Sequence, residues 1–255
     1  MKRYTLFIIM SLTLTIPFGV RAQEQPEVWF EKANAAYNAG SYDTAVMLYD
    51  KVLHSQLESV ALYYNMGNAY YKMREYPMAI YCYEKALKID PSNDDVRNNL
   101  AIANLAIVDK IEPVPQSFIV KGWRGMRSWL SGDHWAWCSI AAFALLLIGL
   151  YLFLRSRKTG LRKLGFFGGA LCLVVFALSV VFAFQLKKAA TTHDQAIIMT
   201  PTVTAKSSPS ESSVDLFVLH EGSKVDILES SEGWNKIKIA NGSVAWLKAD
   251  DMLPF

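Results

Sequence analysis

The sequence predicts a multidomain membrane protein with an all-α repeat domain, two transmembrane helices and a small all-β domain, in that order. Three observations predict it. An early segment repeats at a fixed spacing, two long uncharged stretches occupy the middle, and short alternating runs separated by turn residues fill the C-terminal part. The composition agrees, because 52% of the residues are apolar and only 19% are charged, whereas a soluble domain has about 25% charged residues.

The first 22 residues have the three-part pattern of a secretory signal peptide. Lys2 and Arg3 form a basic start, residues 4–16 are uncharged and mostly apolar, and Ala22 ends a small-residue exit. We expect cleavage after Ala22, which puts the start of the mature chain outside the cytoplasm. The alternative is an uncleaved anchor, although the apolar run is shorter than the ~20 residues that span a bilayer.

Residues 26–105 contain an internal repeat at a spacing of 34 residues. Large side chains recur at this offset, as at Trp29 and Tyr63, and so do small ones, as at Ala33 and Gly67. At helical spacing, the small residues let two helices approach closely and the aromatic residues fill the gap between them. The alternation therefore predicts stacked helical hairpins.

This pattern resembles the tetratricopeptide repeat, which combines an aromatic–Leu–Gly–Tyr helix, an Ala–aromatic–Ala helix and a closing proline. The second copy follows the pattern nearly throughout and closes at Pro91, whereas the first copy has Lys32 in place of Leu and Leu57 in place of Pro. A third copy begins at Asp94 without a second helix, and we interpret it as a capping helix. The resemblance implies a repeat domain over residues 23–110.

The same resemblance implies binding of protein partners. Tetratricopeptide stacks bind extended peptides or helices on the concave face that the first helix of each pair forms. We expect Asn34 and Asn68 to be the main anchors, because an asparagine amide both donates to and accepts from a peptide backbone. The alternative is a polar face that is merely solvated. The predicted partner-binding residues are Asn34, Tyr37, Tyr64, Asn68, Tyr71 and Lys72.

Two uncharged stretches, 135–154 and 164–186, reach the length of a membrane-spanning helix. The loop between them, 155–163, carries five cations, which indicates the cytoplasmic side of a membrane. We therefore expect the chain to enter from outside, turn inside and leave outside. Gly165 and Gly169 have the spacing that lets one membrane helix seat on another.

Residues 111–134, between the repeats and the first span, combine a proline-containing linker with an amphipathic segment. Ile119, Trp123, Met126 and Leu130 share one helical face. This pattern predicts a helix that lies in the headgroup layer of a membrane. The alternative is a plain tether.

The C-terminal region, 187–255, has six alternating runs typical of strands. Asn-Gly at 241–242 is a strong hairpin signal between two of them. The spacing of Gly233-Trp234 and Trp246 resembles the bacterial SH3-like domain, which implies a compact barrel. We expect Trp246 in the core and Trp234 on a ligand-binding surface. The predicted strands are 196–199, 203–206, 214–219, 224–229, 234–239 and 244–248.

The order of these segments resembles that of the BatE-type aerotolerance-related exported proteins. The resemblance implies a non-enzymatic component of a bacterial inner-membrane assembly, with both globular domains in the periplasm. It also implies von Willebrand-type partner proteins and an associated AAA-type ATPase. A second hypothesis is an envelope tether or sensor whose SH3-like domain binds peptidoglycan or cell-wall peptides.

Catalysis, metal binding and nucleic-acid binding are not expected from the sequence. Its four histidines lie in different segments, and it has no H-E-x-x-H, G-x-S-x-G or phosphate-loop motif. Cys82, Cys138 and Cys172 are too few and too scattered for a disulfide framework or a thiolate metal site. The net charge of +3 is too small for a nucleic-acid-binding face. We therefore predict no catalytic residues, no cofactor and no metal.

Overall fold

A computed structural model describes residues 26–255, so the predicted signal peptide lies outside the described residues. Five short helices come first and form the repeat region: α1 (Pro26–Asn38), α2 (Tyr42–His54), α3 (Val60–Lys72), α4 (Tyr76–Ile89) and α5 (Asp94–Ala106). Three further helices follow: α6 (Phe118–Arg127), α7 (Gly132–Arg155) and α8 (Thr159–Thr191).

The helical repeats follow the predicted register. The turns inside the two hairpins fall on Gly40 and Arg74, which lie one repeat apart and both have left-handed backbone, with φ of 79° and 67°. Gly67 on α3 lies against Tyr83 on α4, where an added Cβ would come within 2.7 Å of the ring. Ala79 is fully buried. The prediction that helices touch at these small residues is therefore confirmed.

The helices α7 and α8 form a long antiparallel hairpin that contains the two predicted spans. Gly149 on α7 faces Gly165 and Gly169 on α8, where an added Cβ at Gly165 would lie 2.5 Å from the carbonyl oxygen of Gly149. The spaced glycines thus bring the two backbones together, as predicted. The most apolar stretch of α7 has a mean hydropathy of 2.3, and that of α8 has a mean hydropathy of 2.5. Only 11% of the residues in the first stretch and 17% of those in the second are buried. Both helices are long and apolar enough to cross a membrane.

The C-terminal domain is an antiparallel sheet of seven strands in the order β3-β2-β6-β5-β4-β1-β7. All six predicted strands are present within one or two residues, and a short seventh strand was not predicted. The strands are β1 (Gln195–Ile198), β2 (Thr202–Lys206), β3 (Asp215–His220), β4 (Lys224–Ser231), β5 (Trp234–Lys238), β6 (Val244–Lys248) and β7 (Met252–Pro254).

The predicted compact barrel is not closed. Within the described residues, β3 and β7 form the two edges of the sheet and no ladder joins them. The strand β4 lies inside the sheet, where Asp226 pairs with Gln195 of β1 on one side and with Lys238 of β5 on the other. The unpredicted strand β7 occupies the outer edge of β1.

Trp246 lies on the outer face of the sheet, and the prediction that it belongs to the core is wrong. Its neighbours Ala245 and Leu247 are 2% and 1% exposed and point inward. Since successive side chains of a strand point to opposite faces, Trp246 must point outward. It pairs across the strands with Lys236, whose Nζ lies 5.8 Å from the centre of the indole ring.

The sheet packs directly against the helical repeats, which the sequence did not predict. Phe255 is 1% exposed and joins one apolar cluster with Leu100 and Ala103 of α5. Its ring meets that of Tyr81 edge-on at a centroid distance of 5.9 Å. Ile197 of β1 belongs to the same cluster. The apolar surface left exposed by the missing second helix of the third copy is therefore covered by the sheet.

Polar contacts surround this apolar contact. Glu84 of α4 accepts a hydrogen bond of 2.7 Å from Lys224 of β4. Asp109, just beyond α5, accepts from the backbone N–H of His220 at 2.7 Å, contacts its imidazole at 2.8 Å and accepts from the hydroxyl of Ser223. The repeats and the sheet thus form a joint block at the end of the hairpin where α7 begins and α8 ends.

Candidate partner-binding site

A groove of about 310 Å³ opens on the face formed by the first helices of the repeats. Five of the six predicted partner-binding residues line it, together with three residues from α4 and α5. Asn34 is the sixth, and it occupies the equivalent position one repeat earlier on α1. The lining residues are Tyr37, Tyr64, Asn68, Tyr71, Lys72, Tyr83, Asn99 and Ile102.

Helical spacing explains why these side chains converge. On α3, Tyr64 is followed after four, seven and eight positions by Asn68, Tyr71 and Lys72. Residues at such spacings share one face of a helix. The opposite face of α3 is small or apolar and packs on α4, with Gly67 against Tyr83. The α3–α4 packing therefore turns the polar and aromatic face toward the groove.

The asparagine of the first repeat accepts two hydrogen bonds through the same oxygen. The hydroxyl of Tyr49 donates to Asn34 Oδ1 at 2.7 Å, and Asn65 Nδ2 donates to it at 2.9 Å. Burial raises the pKa of Tyr49 to about 12, partly offset by the hydrogen bond from Asn65. The phenol therefore stays protonated and remains a donor at physiological pH.

The same arrangement recurs in the second repeat. The hydroxyl of Tyr83 donates to Asn68 Oδ1 at 2.7 Å, and Asn99 Nδ2 donates to it at 2.8 Å. Asn99 also lies 3.2 Å from the hydroxyl of Tyr64. Each of these residues follows its counterpart by one repeat, so the bonds form a periodic series, which we call the Tyr–Asn ladder (Asn34, Tyr49, Asn65, Asn68, Tyr83 and Asn99).

The ladder changes the role expected of the two asparagines. Their oxygens are occupied by partners inside the fold, so they do not accept from a bound peptide. Within residues 26–255, neither Asn34 Nδ2 nor Asn68 Nδ2 donates a hydrogen bond. What the site offers is therefore a pair of amide donors, which suits the carbonyl oxygens of a bound chain.

Aromatic pairs fix the walls of the groove. The rings of Tyr37 and Tyr42 meet edge-on at 5.4 Å, and those of Tyr71 and Tyr76 do so at 5.5 Å, both with an interplanar angle of 61°. The pairs are equivalent in the two repeats, and such edge contacts stabilise ring positions by about 0.5–1.5 kcal/mol. Lys72 adds a cation to the groove.

Trp234 lies at the start of β5 and is half-buried on the outer face of the sheet. It pairs with Lys248 of β6, while Trp246 pairs with Lys236. The two indoles therefore share one outer face, which sequence analysis missed for Trp246. This face is separate from the groove of the repeats.

The cluster of Asp109, His220 and Ser223 has the residue types of a hydrolase site but not its geometry. The Ser223 hydroxyl donates to Asp109 rather than to His220, so the imidazole does not contact the hydroxyl as the base of a Ser–His pair does. Among residues 26–255, no group of three or more His, Cys, Asp or Glu side chains is placed to hold a metal ion.

One comparison with known proteins finds a match, and it lies within the helical repeats. The tetratricopeptide repeat model matches residues 60–93, which cover α3, α4 and the turn that follows. No curated protein matches the chain. The matched segment is the copy that supplies Tyr64, Asn68, Tyr71 and Lys72 to the groove.

Proposed function

We propose that this protein is a non-enzymatic, membrane-anchored scaffold that binds an extended segment of a partner protein in its tetratricopeptide groove. A pair of amide donors, Asn34 Nδ2 and Asn68 Nδ2, carries the proposal, because neither has an acceptor among residues 26–255. They recur at the repeat spacing, so each meets a successive part of one bound chain. Tyr37, Tyr64 and Tyr71 supply aromatic walls, and Lys72 favours an acidic side chain on the partner.

Membrane anchoring is supported by the outward-facing apolar side chains of α7 and α8, which need a nonaqueous environment. The contact between sheet and repeats requires both globular domains to lie on the same side of the membrane. A two-helix hairpin satisfies this requirement. The predicted signal peptide and the cations of 155–163 favour the outer side, with both domains in the periplasm.

The segment order supports a role like that of the BatE-type proteins. On this proposal the partner belongs to an inner-membrane assembly that includes von Willebrand-type proteins and an AAA-type ATPase. The groove, rather than the membrane hairpin, makes the specific contact.

The test uses substitutions that separate binding from folding. Asn→Ala removes the ladder acceptor as well as the donor, so it confounds the two. Asn34→Asp with Asn68→Asp keeps the acceptor oxygens for Tyr49 and Tyr83, removes the N–H donors and adds one negative charge at each site. Each lost hydrogen bond costs about 0.5–1.5 kcal/mol, so partner recovery from membranes is expected to fall about tenfold.

Asn241→Asp, on the tip of a hairpin in the sheet, with Gln116→Glu, in the exposed linker, adds the same two negative charges away from the groove and is the control. Circular dichroism of each variant checks the fold. Full partner recovery by the folded double variant would place the binding site elsewhere.

The second candidate is an envelope tether that binds cell-wall peptides through the sheet. The observation that favours it is the outer face shared by Trp234 and Trp246, flanked by Lys236 and Lys248. Under this hypothesis, full-length Trp234→Ala loses retention on purified cell wall, while Asn34→Asp with Asn68→Asp keeps it. Equal retention of parent and Trp234→Ala would argue against the tether.

A further inference from the structure

The helix α6 carries three cations on one side. Lys121, Arg124 and Arg127 recur at every third position, and residues at that spacing lie along one side of a helix. The helix contains no acidic residue, and none of the three cations forms an ion pair in the part of the chain that the structure describes. The other side is apolar, with Ile119 among its exposed residues.

Contacts with α8 fix where α6 lies along the length of the apolar hairpin formed by α7 and α8. The ring of Trp123 lies 4.8 Å from that of Phe182, and its Nε1 donates to Gln185 at 3.4 Å. These residues form the last apolar turns of α8, immediately before Lys187 and Lys188. The cations of α6 therefore lie where the apolar surface ends and charge begins.

Arg127 adds a second, independent observation. Its Nε is buried and has no hydrogen-bond partner among residues 26–255, while its carbonyl oxygen accepts from Trp135 Nε1 at 3.0 Å. A buried donor on a charged group is costly when it is left unpaired. Arg127 as a whole is only half-buried, so an anion from outside the chain can approach its guanidinium, offset part of this cost and also contact the neighbouring Arg124.

We propose that the elbow between α6 and α7 binds the phosphodiester headgroup of an anionic phospholipid. The guanidinium of Arg127 holds the phosphate, and Lys121 and Arg124 supply the additional positive charge. Trp129, which is 72% exposed, and Trp123 lie beside the acyl chains at the interface. A zwitterionic headgroup fits less well because the three cations repel its ammonium group. The inference rests on the proposed membrane anchoring.

The test is native mass spectrometry of the full-length protein released from bilayer nanodiscs of equal parts phosphatidylglycerol and phosphatidylcholine. We expect preferential retention of phosphatidylglycerol. Arg124→Gln with Arg127→Gln is expected to reduce that preference by about fivefold per cation. Arg127→Lys keeps the charge but lacks the Nε donor, and it is expected to lose part of the preference.

Lys51→Gln with Lys238→Gln removes the same charge from the two globular domains and is expected to behave like the parent. Equal retention of the two lipids by the parent would overturn the inference, as would displacement of the lipid by soluble glycerol phosphate. Extraction with alkaline carbonate separates this failure from failure of the anchoring. A protein that stays in the membrane without lipid preference refutes only the headgroup site, whereas a released protein refutes both.

Discussion

Phe255 is the side chain on which the contact between sheet and repeats depends most. It is 1% exposed, it packs among residues of α4 and α5, and the ammonium groups of Lys88 and Lys224 lie 5.1 and 5.4 Å from its ring centre. Truncating a buried phenylalanine to alanine costs about 3–5 kcal/mol. Phe255→Ala therefore removes one large apolar contact of the docked domains, while Ile197 and the polar contacts of Asp109 remain.

The assay is hydrogen–deuterium exchange of the full-length protein in detergent, followed by mass spectrometry. We expect the amides of α5 to lose about two to four orders of magnitude of protection, because α5 loses the surface that covers it. Phe217→Ala is the matched control, since Phe217 packs on the core cluster of the sheet and is not part of the cluster formed with α4 and α5. The reasoning is refuted if α5 keeps its parental protection in a Phe255→Ala protein whose sheet is intact.

Three further predictions concern the repeats and their junction with the sheet. Gly67→Ala places a methyl group 2.7 Å from Tyr83 Cε1, and this overpacking should lower the free energy of unfolding by about 1–3 kcal/mol in denaturant titrations. Cys82 is fully buried, which raises its thiol pKa, so it should resist iodoacetamide until the repeats unfold. Burial raises the pKa of Asp109, but hydrogen bonds from Ser223 and His220 outweigh it and hold the value below 3.8. The stabilisation from Asp109 is therefore present above about pH 4 and is lost as the pH falls through the lowered pKa. Hydrogen exchange should show this as a loss of α5 protection in acid.

Each of these predictions has a distinguishing control. Gly125→Ala on α6 meets open space, so it should not destabilise the protein; equal effects at the two glycines would contradict the packing argument. Rapid alkylation of Cys82 in the folded protein would show that α4 is not covered as described. Asp109→Asn should remove the acid-dependent loss of α5 protection, and an unchanged pH profile in that variant would assign the loss to other carboxylates.

Periodicity predicted the repeat region well because helix packing at small residues is a local, repeating constraint. It placed Gly67 against α4 and brought five of the six predicted binding residues to one groove. The Tyr–Asn ladder was missed although its signal was present. Tyr49 and Tyr83, and Asn65 and Asn99, recur at the same offset as the residues that were considered.

The contacts between domains were beyond the reach of sequence patterns. Phe255 is distant along the chain from α4, and no periodicity relates the two. The face of Trp246 was misassigned because a large aromatic residue was expected in the core, whereas strand alternation puts Ala245 and Leu247 there. The strand β7 has three residues, which is too short for alternation to be recognised.

The Tyr–Asn ladder makes each repeat dependent on the next. Asn65 reaches back to Asn34, and Asn99 reaches back to Asn68, so a repeat completes its hydrogen bonds only when its neighbour is folded. Linear arrays with such nearest-neighbour coupling unfold progressively, beginning at the end that has the fewest stabilising contacts. Among the five described repeat helices the sheet covers α5, so we expect α5 to open after the helices that precede it. Under the proposed function, a partner segment bound across both repeats stabilises the folded array, and the effect is largest for α1, which has no residue in the cluster that the sheet joins.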